Sequence, residues 1–295
     1  MVPSSVVDYH LVRKVKSNKF NVDHLSQYSL YFLLGKQHFK FCILDTKSSS
    51  CLLLEDYLIG SNDQPDEIVD TLKVIFETHH LLNAGFWSSV KLAFLGPKSV
   101  LVPNHLFEKN TLSEYLKMNC QLDAEEGHYY FKHNTGKMVN VFAANKKIIS
   151  WFKDQYPNIN LHLIHHSSAL IEGVPRQQDA SRQKSMSLFI NIDSTEILVH
   201  ENDKLLYCNQ FNYHSPEELL NYVMVVMNQL GLDANVSKVQ LWGNVNNQSE
   251  YFKILYKYIR NVSFGKRPSG LKFSFEFDEI DEHQYFDLFG LYYCE

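Results

Sequence analysis

Two stretches of the chain repeat the same order of apolar, β-rich runs and polar breaks. In the first, Tyr28 to Leu34, Gln37 to Leu44 and Cys51 to Ile59 are β-rich runs, broken by Gly35-Lys36 and by a polar segment from Asp45 to Ser50. In the second, Ser187 to Ile192, Glu196 to His200 and Leu205 to Phe211 repeat the pattern, with Asn202-Asp203 supplying a hairpin turn that tolerates positive φ. Each stretch predicts a three-stranded meander.

A helix is predicted after each meander. The later one has Ser215 as N-cap, Pro216 at the first helical position, Glu218 as the capping-box partner and Gly231 as terminator. Its apolar residues Leu219, Val223, Val226, Met227 and Leu230 share one face. The earlier helix starts at Pro65, carries Ile68, Leu72, Ile75 and Phe76 on its stripe, and is expected to end at Gly85. A strand ending in glycine follows in both copies, Val90 to Gly96 and Lys238 to Gly243, with Val239 and Leu241 expected in the core. The order β-β-β-α-β, used twice, resembles a duplicated ribonuclease H-like unit of the α/β class.

Between the copies, Met138 to Val174 reads as a strand, a helix from about Lys146 to Gln155, a stop at Pro157, and a strand from Asn160 to His165. This α/β crossover is expected to close the first domain. The polar stretch over 175–185 lacks any apolar period, which places the first lobe at 1–178 and the second at 179–295.

Length and composition agree with that division. A chain of 295 residues exceeds one ordinary domain, and 45% apolar content is enough for two cores. The net charge of -5 gives no basic nucleic-acid face, and the cluster Arg13, Lys14, Lys16 and Lys19 reads as a solvated edge. The first residues carry no apolar stretch of a signal peptide, and no run approaches the roughly 20 apolar residues that span a bilayer. The expectation is a cytoplasmic protein without membrane insertion. Cys42, Cys51, Cys120, Cys208 and Cys294 lack CxxC spacing, so free thiols are expected rather than a disulfide framework or a zinc knuckle.

A strand ending in small residues, a helix, and a strand leading into Ser167-Ser168-Ala169-Leu170-Ile171-Glu172-Gly173-Val174 resemble the end of the first domain of actin-like ATPase proteins, particularly their pilus-assembly branch. The stretch Leu188 to Phe211 resembles the opening of their second domain. Together with Leu241 to Asn244 and the terminal Tyr285 to Glu295, these segments resemble an uncharacterised bacterial domain-of-unknown-function family with an actin-like ATPase fold. The resemblance implies a fold and no activity.

It also implies where nucleotide would bind. Actin-like ATPases cradle phosphates with glycine-rich hairpins, because a backbone without Cβ lets its N–H groups approach closely. The first hairpin, D-x-G-[ST] in the family, corresponds here to Gly35 and Lys36, with no carboxylate on the strand before them. The second, D-x-G-x-G-[ST], corresponds to Asn191-Ile192-Asp193-Ser194-Thr195, without glycines. The adenosine-contacting glycine pair corresponds to Gly243-Asn244. All three stations are altered, and Asp193-Ser194-Thr195 reads as a polar β-turn.

Other chemistry is less well supported. Leu95-Gly96-Pro97-Lys98-Ser99 lacks the spacing of a Walker loop and reads as a turn. His79, His80, His162, His165 and His166 have no H-E-x-x-H arrangement; in a strand, His162 and His166 would face one side and His165 the other. Asp193 and Glu217 do not make the clustered carboxylates of a two-metal nuclease. No catalytic residue and no metal ligand is assigned.

Two readings remain. One is a noncatalytic interaction or scaffold protein with a protein partner, no nucleic acid and no cofactor. The other is an ATP-binding switch or weak ATPase, with ATP and magnesium held at the altered stations. The aromatic terminus with Tyr285, Phe286, Phe289, Tyr292 and Tyr293 resembles a set of interface anchors, but packing of that tail on its own domain is the expectation.

Overall fold

The computed structural model describes residues 9–60, 64–134, 137–177, 184–202 and 204–295. The chain divides into two compact units. The first runs to Ser168 and takes back Gly270–Asp278 and Cys294–Glu295; the second holds Ala169–Ser269 and Glu279–Tyr293. The boundary expected at 178/179, and Asp203 of the expected hairpin turn, lie outside the described residues. Asn202 has the positive φ, 55°, that such a turn requires.

In chain order the first part comprises β1 (Tyr9–Lys16), β2 (Tyr28–Leu34), β3 (His38–Asp45), β4 (Ser50–Ile59), α1 (Pro65–Thr78), β5 (Ser89–Phe94), β6 (Ser99–Pro103), α2 (Leu112–Lys117), β7 (Glu126–Lys132), β8 (Met138–Asn145), α3 (Lys146–Gln155), β9 (Leu161–His165) and α4 (His166–Gly173). One sheet has the order β1-β4-β3-β2-β5-β9. Within it β2 pairs antiparallel with β3 and parallel with β5, and β5 pairs parallel with β9. Its core joins Leu30, Phe32, Phe39, Phe41, Leu72, Phe76 and Phe152.

The remainder comprises β10 (Lys184–Ile190), β11 (Ser194–Glu201), β12 (Lys204–Asn212), α5 (Pro216–Gln229), β13 (Lys238–Gly243), α6 (Glu250–Tyr258), β14 (Val262–Phe264) and α7 (Phe286–Phe289). Its sheet has the order β12-β11-β10-β13-β14. Strand β10 pairs antiparallel with β11 and parallel with β13, the same place that β2 holds in the first sheet. The duplicated β-β-β-α-β unit is therefore present in both units, with Val239 and Leu241 fully buried.

The helix signals act locally much as the sequence implies. Ser215 accepts the N–H of Glu218 at 3.2 Å, Pro216 opens α5, and Gly231 follows its end with φ +67°. Glu218, however, accepts from the N–H of His214 at 2.7 Å rather than from that of Ser215. Helix α1 ends at Thr78, seven residues before Gly85. The carbonyl of Phe76 is taken by the side-chain amide of Asn83 at 2.7 Å and by the N–H of His79 at 3.2 Å, so no glycine is needed there.

Three elements depart from the expectation. β1 is an edge strand on β4, and Arg13, Lys14 and Lys16 lie on it. β8 does not extend the main sheet: it pairs antiparallel with β6 and β7 in a separate sheet, order β6-β8-β7, covered by α2 through Val102, Leu116, Val139 and Val141. Only β9 adds to the main sheet. His166 belongs to α4 rather than to the strand before it, so the alternation expected over His162, His165 and His166 stops at His165.

The aromatic tail packs on its own unit. Phe286, Phe289 and Leu291 are buried, and the Phe286 ring lies 5.6 Å from that of Trp242. No described helix is long and apolar enough to cross a membrane.

Candidate functional site

The first station lies where β2 turns into β3. Gly35 is buried and donates its N–H to the carbonyl of His38 at 2.9 Å, which closes the turn. A Cβ at Gly35 would sit 3.0 Å from Cδ2 of Leu95, so the small residue also makes room for the chain leaving β5. Lys36 is exposed at the tip. The buried carboxylate of Asp56 reaches Nδ1 of His38 at 3.1 Å.

The second station differs from its expected form. The turn is Asn191-Ile192-Asp193, because the N–H of Asn191 already donates to the carbonyl of Ser194 at 2.8 Å. Ser194 and Thr195 are buried residues of β11, with Thr195 paired across to Ile190 and to Phe211. The β-turn expected over Asp193-Ser194-Thr195 thus begins two residues earlier, and the β-branched Thr195 goes into the sheet. Asp193 stays exposed, and its carbonyl accepts the N–H of Tyr213 at 3.0 Å. The Tyr213 hydroxyl donates to the carbonyl of Asn191 and pins the other side of the turn.

The third station is joined to the second through Ile190. Gly243 has φ +88°, and a Cβ there would fall 2.3 Å from the carbonyl oxygen of Ile190. Its N–H donates to the carbonyl of His283 at 3.0 Å, while Asn244 donates to the carbonyl of Ile190 at 2.7 Å. His283 fixes this end further: its Nε2 bonds the carbonyl of Val245 and its ring stacks on Phe264 at 4.5 Å. Asn244 is exposed. The second and third stations therefore meet at the ends of β10 and β13 within the second unit.

Chemically, these stations share one property. The N–H groups of Gly35, Asn191, Gly243 and Asn244 all have acceptors within the protein. A phosphate cradle needs such groups directed at the ligand. What the stations present outward is the side chains of Lys36, Asp193 and Asn244.

Two polar clusters escaped sequence reasoning. In the first unit, His165 bonds the carbonyl of Gly96 through Nε2 at 2.8 Å and the hydroxyl of Ser167 through Nδ1 at 2.6 Å. Asn140 Nδ2 donates to Ser167 Oγ at 2.8 Å and Ser168 Oγ at 3.0 Å. Burial pushes His165 down to about 4, so the ring is neutral, with Nε2–H donating and Nδ1 accepting. All of these side chains are buried, which makes the cluster a clasp between strand ends rather than a nucleophile. Its only sequence signal is the run His165-His166-Ser167-Ser168.

In the second unit, one face of β11 carries Glu196 and His200, both buried. The Cys208 thiol donates to Glu196 Oε1 at 3.1 Å. Burial raises the Glu196 carboxyl to about 7, partly offset by that thiol, and lowers His200 to about 4. Cys208 is pushed up by burial and by the carboxylate beside it. Among the described residues, no group of three or more His, Cys, Asp or Glu is arranged to hold a metal ion.

Comparison with solved structures identifies the architecture. A Bacteroides thetaiotaomicron VPI-5482 protein with an actin-like ATPase fold and unknown function superposes with a TM-score of 0.80 at 20% identity, covering 94% of this chain and all of that one. The PilM-PilN type IV pilus biogenesis complex matches with a TM-score of 0.58 at 10% identity, over 90% of this chain and 97% of the other. The ethanolamine utilization protein EutJ from Carboxydothermus hydrogenoformans matches with a TM-score of 0.50 at 9% identity, over 91% and 90%. These likenesses show the actin-like ATPase fold. No curated protein matches the chain. The family model described as protein of unknown function (DUF3822) matches residues 17–262, and the chain belongs to that family.

Proposed function

We propose that this protein is a noncatalytic interaction protein that retains the duplicated actin-like scaffold and does not bind nucleotide at the inherited stations. The observation that carries this reading is the inward bonding of the station amides. To meet a phosphate, Gly35, Asn191, Gly243 or Asn244 would have to give up a hydrogen bond that closes a turn or ties two strand ends. An unmade buried bond of this kind destabilises by about 1–3 kcal/mol. Lys36 and Asp193 alone offer little to offset desolvation of a triphosphate. A fold of this class serves protein assembly elsewhere, since PilM stands in a complex with PilN.

The test is a thermal-shift titration with Mg-ATP. A ligand raises the melting temperature only as its concentration exceeds its dissociation constant. No shift is expected at millimolar Mg-ATP, and restoring glycine at Ser194 alone is not expected to create one. A rise in melting temperature that disappears in Asp193→Ala would replace this reading with a nucleotide switch that uses ATP and magnesium.

A further inference from the structure

Residues 250–267 hold five cations, Lys253, Lys257, Arg260, Lys266 and Arg267, against one acid, Glu250, in a chain whose net charge is -5. Helix α6 organises part of this set. Its Leu255 is buried in the second-unit core, and the 3.6-residue period puts Lys253, Tyr256 and Lys257 together on the opposite side. Lys253, Tyr256, Lys257, Tyr258 and Arg260 are all exposed. Tyr256 and Tyr258 are 61% and 53% exposed.

The surface tyrosine is held from below. Tyr256 stacks on Phe252 at 5.5 Å, Phe252 on Phe264 at 5.0 Å, and Phe264 on the buried His283 at 4.5 Å. A ladder of four rings thus runs from the interior to the surface, so Tyr256 has less rotamer freedom to lose on contact. The Lys257 ammonium lies 5.4 Å from the centre of the Tyr258 ring. Among the described residues, Lys253, Lys257, Arg260 and Lys266 form no ion pair.

From these features we infer that the outer face of α6 is a docking surface for an acidic segment of a partner protein. The segment sets carboxylates against Lys253 and Lys257, and against Arg260 two residues past the helix end, and an apolar residue against Tyr256. Charge complementarity selects the sign of the partner, and the supported tyrosine supplies the kind of anchor found in interface hot spots. The interleaved tyrosine favours a protein segment that brings an apolar residue between its carboxylates. This inference rests on the interaction-protein reading and gives that reading a partner chemistry.

The test is fluorescence anisotropy of a fluorescein-labelled peptide of alternating glutamate and leucine, titrated with the full chain. Saturable binding is expected, weakening about tenfold as NaCl rises from about 50 to about 300 mM. Lys253→Glu combined with Lys257→Glu should weaken it at least about tenfold, and Arg260→Glu about threefold. Tyr256→Ala should weaken it with the salt dependence unchanged, because an anchor rather than a charge is lost. Lys47→Glu in the first unit should leave it as it was. If the double variant loses its circular-dichroism spectrum, Arg260→Glu and Tyr256→Ala decide. Absence of binding at millimolar peptide, equal binding by the charge-reversed variants, or tighter binding of an oligothymidylate of the same charge would overturn the inference. The Mg-ATP titration reads the nucleotide stations separately, so failure of one proposal is distinguishable from failure of the other.

Discussion

The N–H of Asn244 donates to the carbonyl oxygen of Ile190 at 2.7 Å, and the residue before it, Gly243, passes so close to that oxygen that a Cβ would lie 2.3 Å from it. A glycine that a motif search would assign to ligand contact is here required by the neighbouring strand. Gly243→Ala meets both a positive φ and a backbone clash, and is expected to destabilise by about 2–4 kcal/mol. Urea denaturation checks this; a loss under about 0.5 kcal/mol would mean that the β10–β13 junction is looser than the hydrogen bonds imply.

Leu241 tests the core of the second unit. It is fully buried on β13, among Leu188, Val223 and Leu255. Leu241→Ala should destabilise by about 2–5 kcal/mol through lost burial and a cavity. Thermal or urea melts measure it directly, and a near-neutral result would place β13 at a surface edge instead.

Glu196 should make stability fall with rising pH. Its folded value, near 7, exceeds its ordinary value of 4.5. Between those limits the unfolded chain releases the proton first, so ionisation favours unfolding across that window and adds nothing above it. Glu196→Gln removes the effect and should gain on the wild type by up to about 3 kcal/mol between pH 4.5 and 7.5. Parallel stability curves for the two proteins over that range would refute the assignment.

Glu55 has the opposite sign. Burial alone would raise its carboxyl, but hydrogen bonds from His79 at 3.1 Å, Lys14 at 2.7 Å and the Tyr57 hydroxyl outweigh burial and hold it below 4.5. Its stabilisation is present above the unfolded value and is lost as pH falls through the folded one. Glu55→Gln should therefore cost about 1–3 kcal/mol at neutral pH, with the difference from wild type shrinking in acid. A difference that stays constant from neutral pH into acid would show that packing rather than charge sets the cost.

The sequence revealed the repeated unit because its strands are apolar, β-rich runs set off by polar breaks and its helices are punctuated: Ser215, Pro216 and Gly231 each act locally as their chemistry requires. It did not reveal β1, β6 or β7, which are short or charged strands on sheet edges whose pattern is set by their neighbours. Gly85 misled, because the side chain of Asn83, five residues past the end of α1, caps the helix through the carbonyl of Phe76. At the candidate site the residue types were legible and their roles were not. Ser194 and Thr195 look like loop residues, but burial and cross-strand pairing make them strand residues. Whether an amide faces a ligand or its own chain depends on partners such as His283, forty residues from Gly243 in the chain.

The first unit is completed by residues that a ribosome delivers late. Lys272 bridges to Ser50 beside β4, accepting from Cys51 at 2.9 Å and donating to Ser49 at 2.7 Å, while Glu276 accepts the N–H of Asn18 at 3.1 Å. Translation at about 5–20 residues per second puts Gly270 some 5–20 s behind Ser168, so the nascent first unit waits without these contacts while Ala169–Ser269 of the second unit is made. A chain interrupted after Ser269 would lack these closing contacts of the first unit.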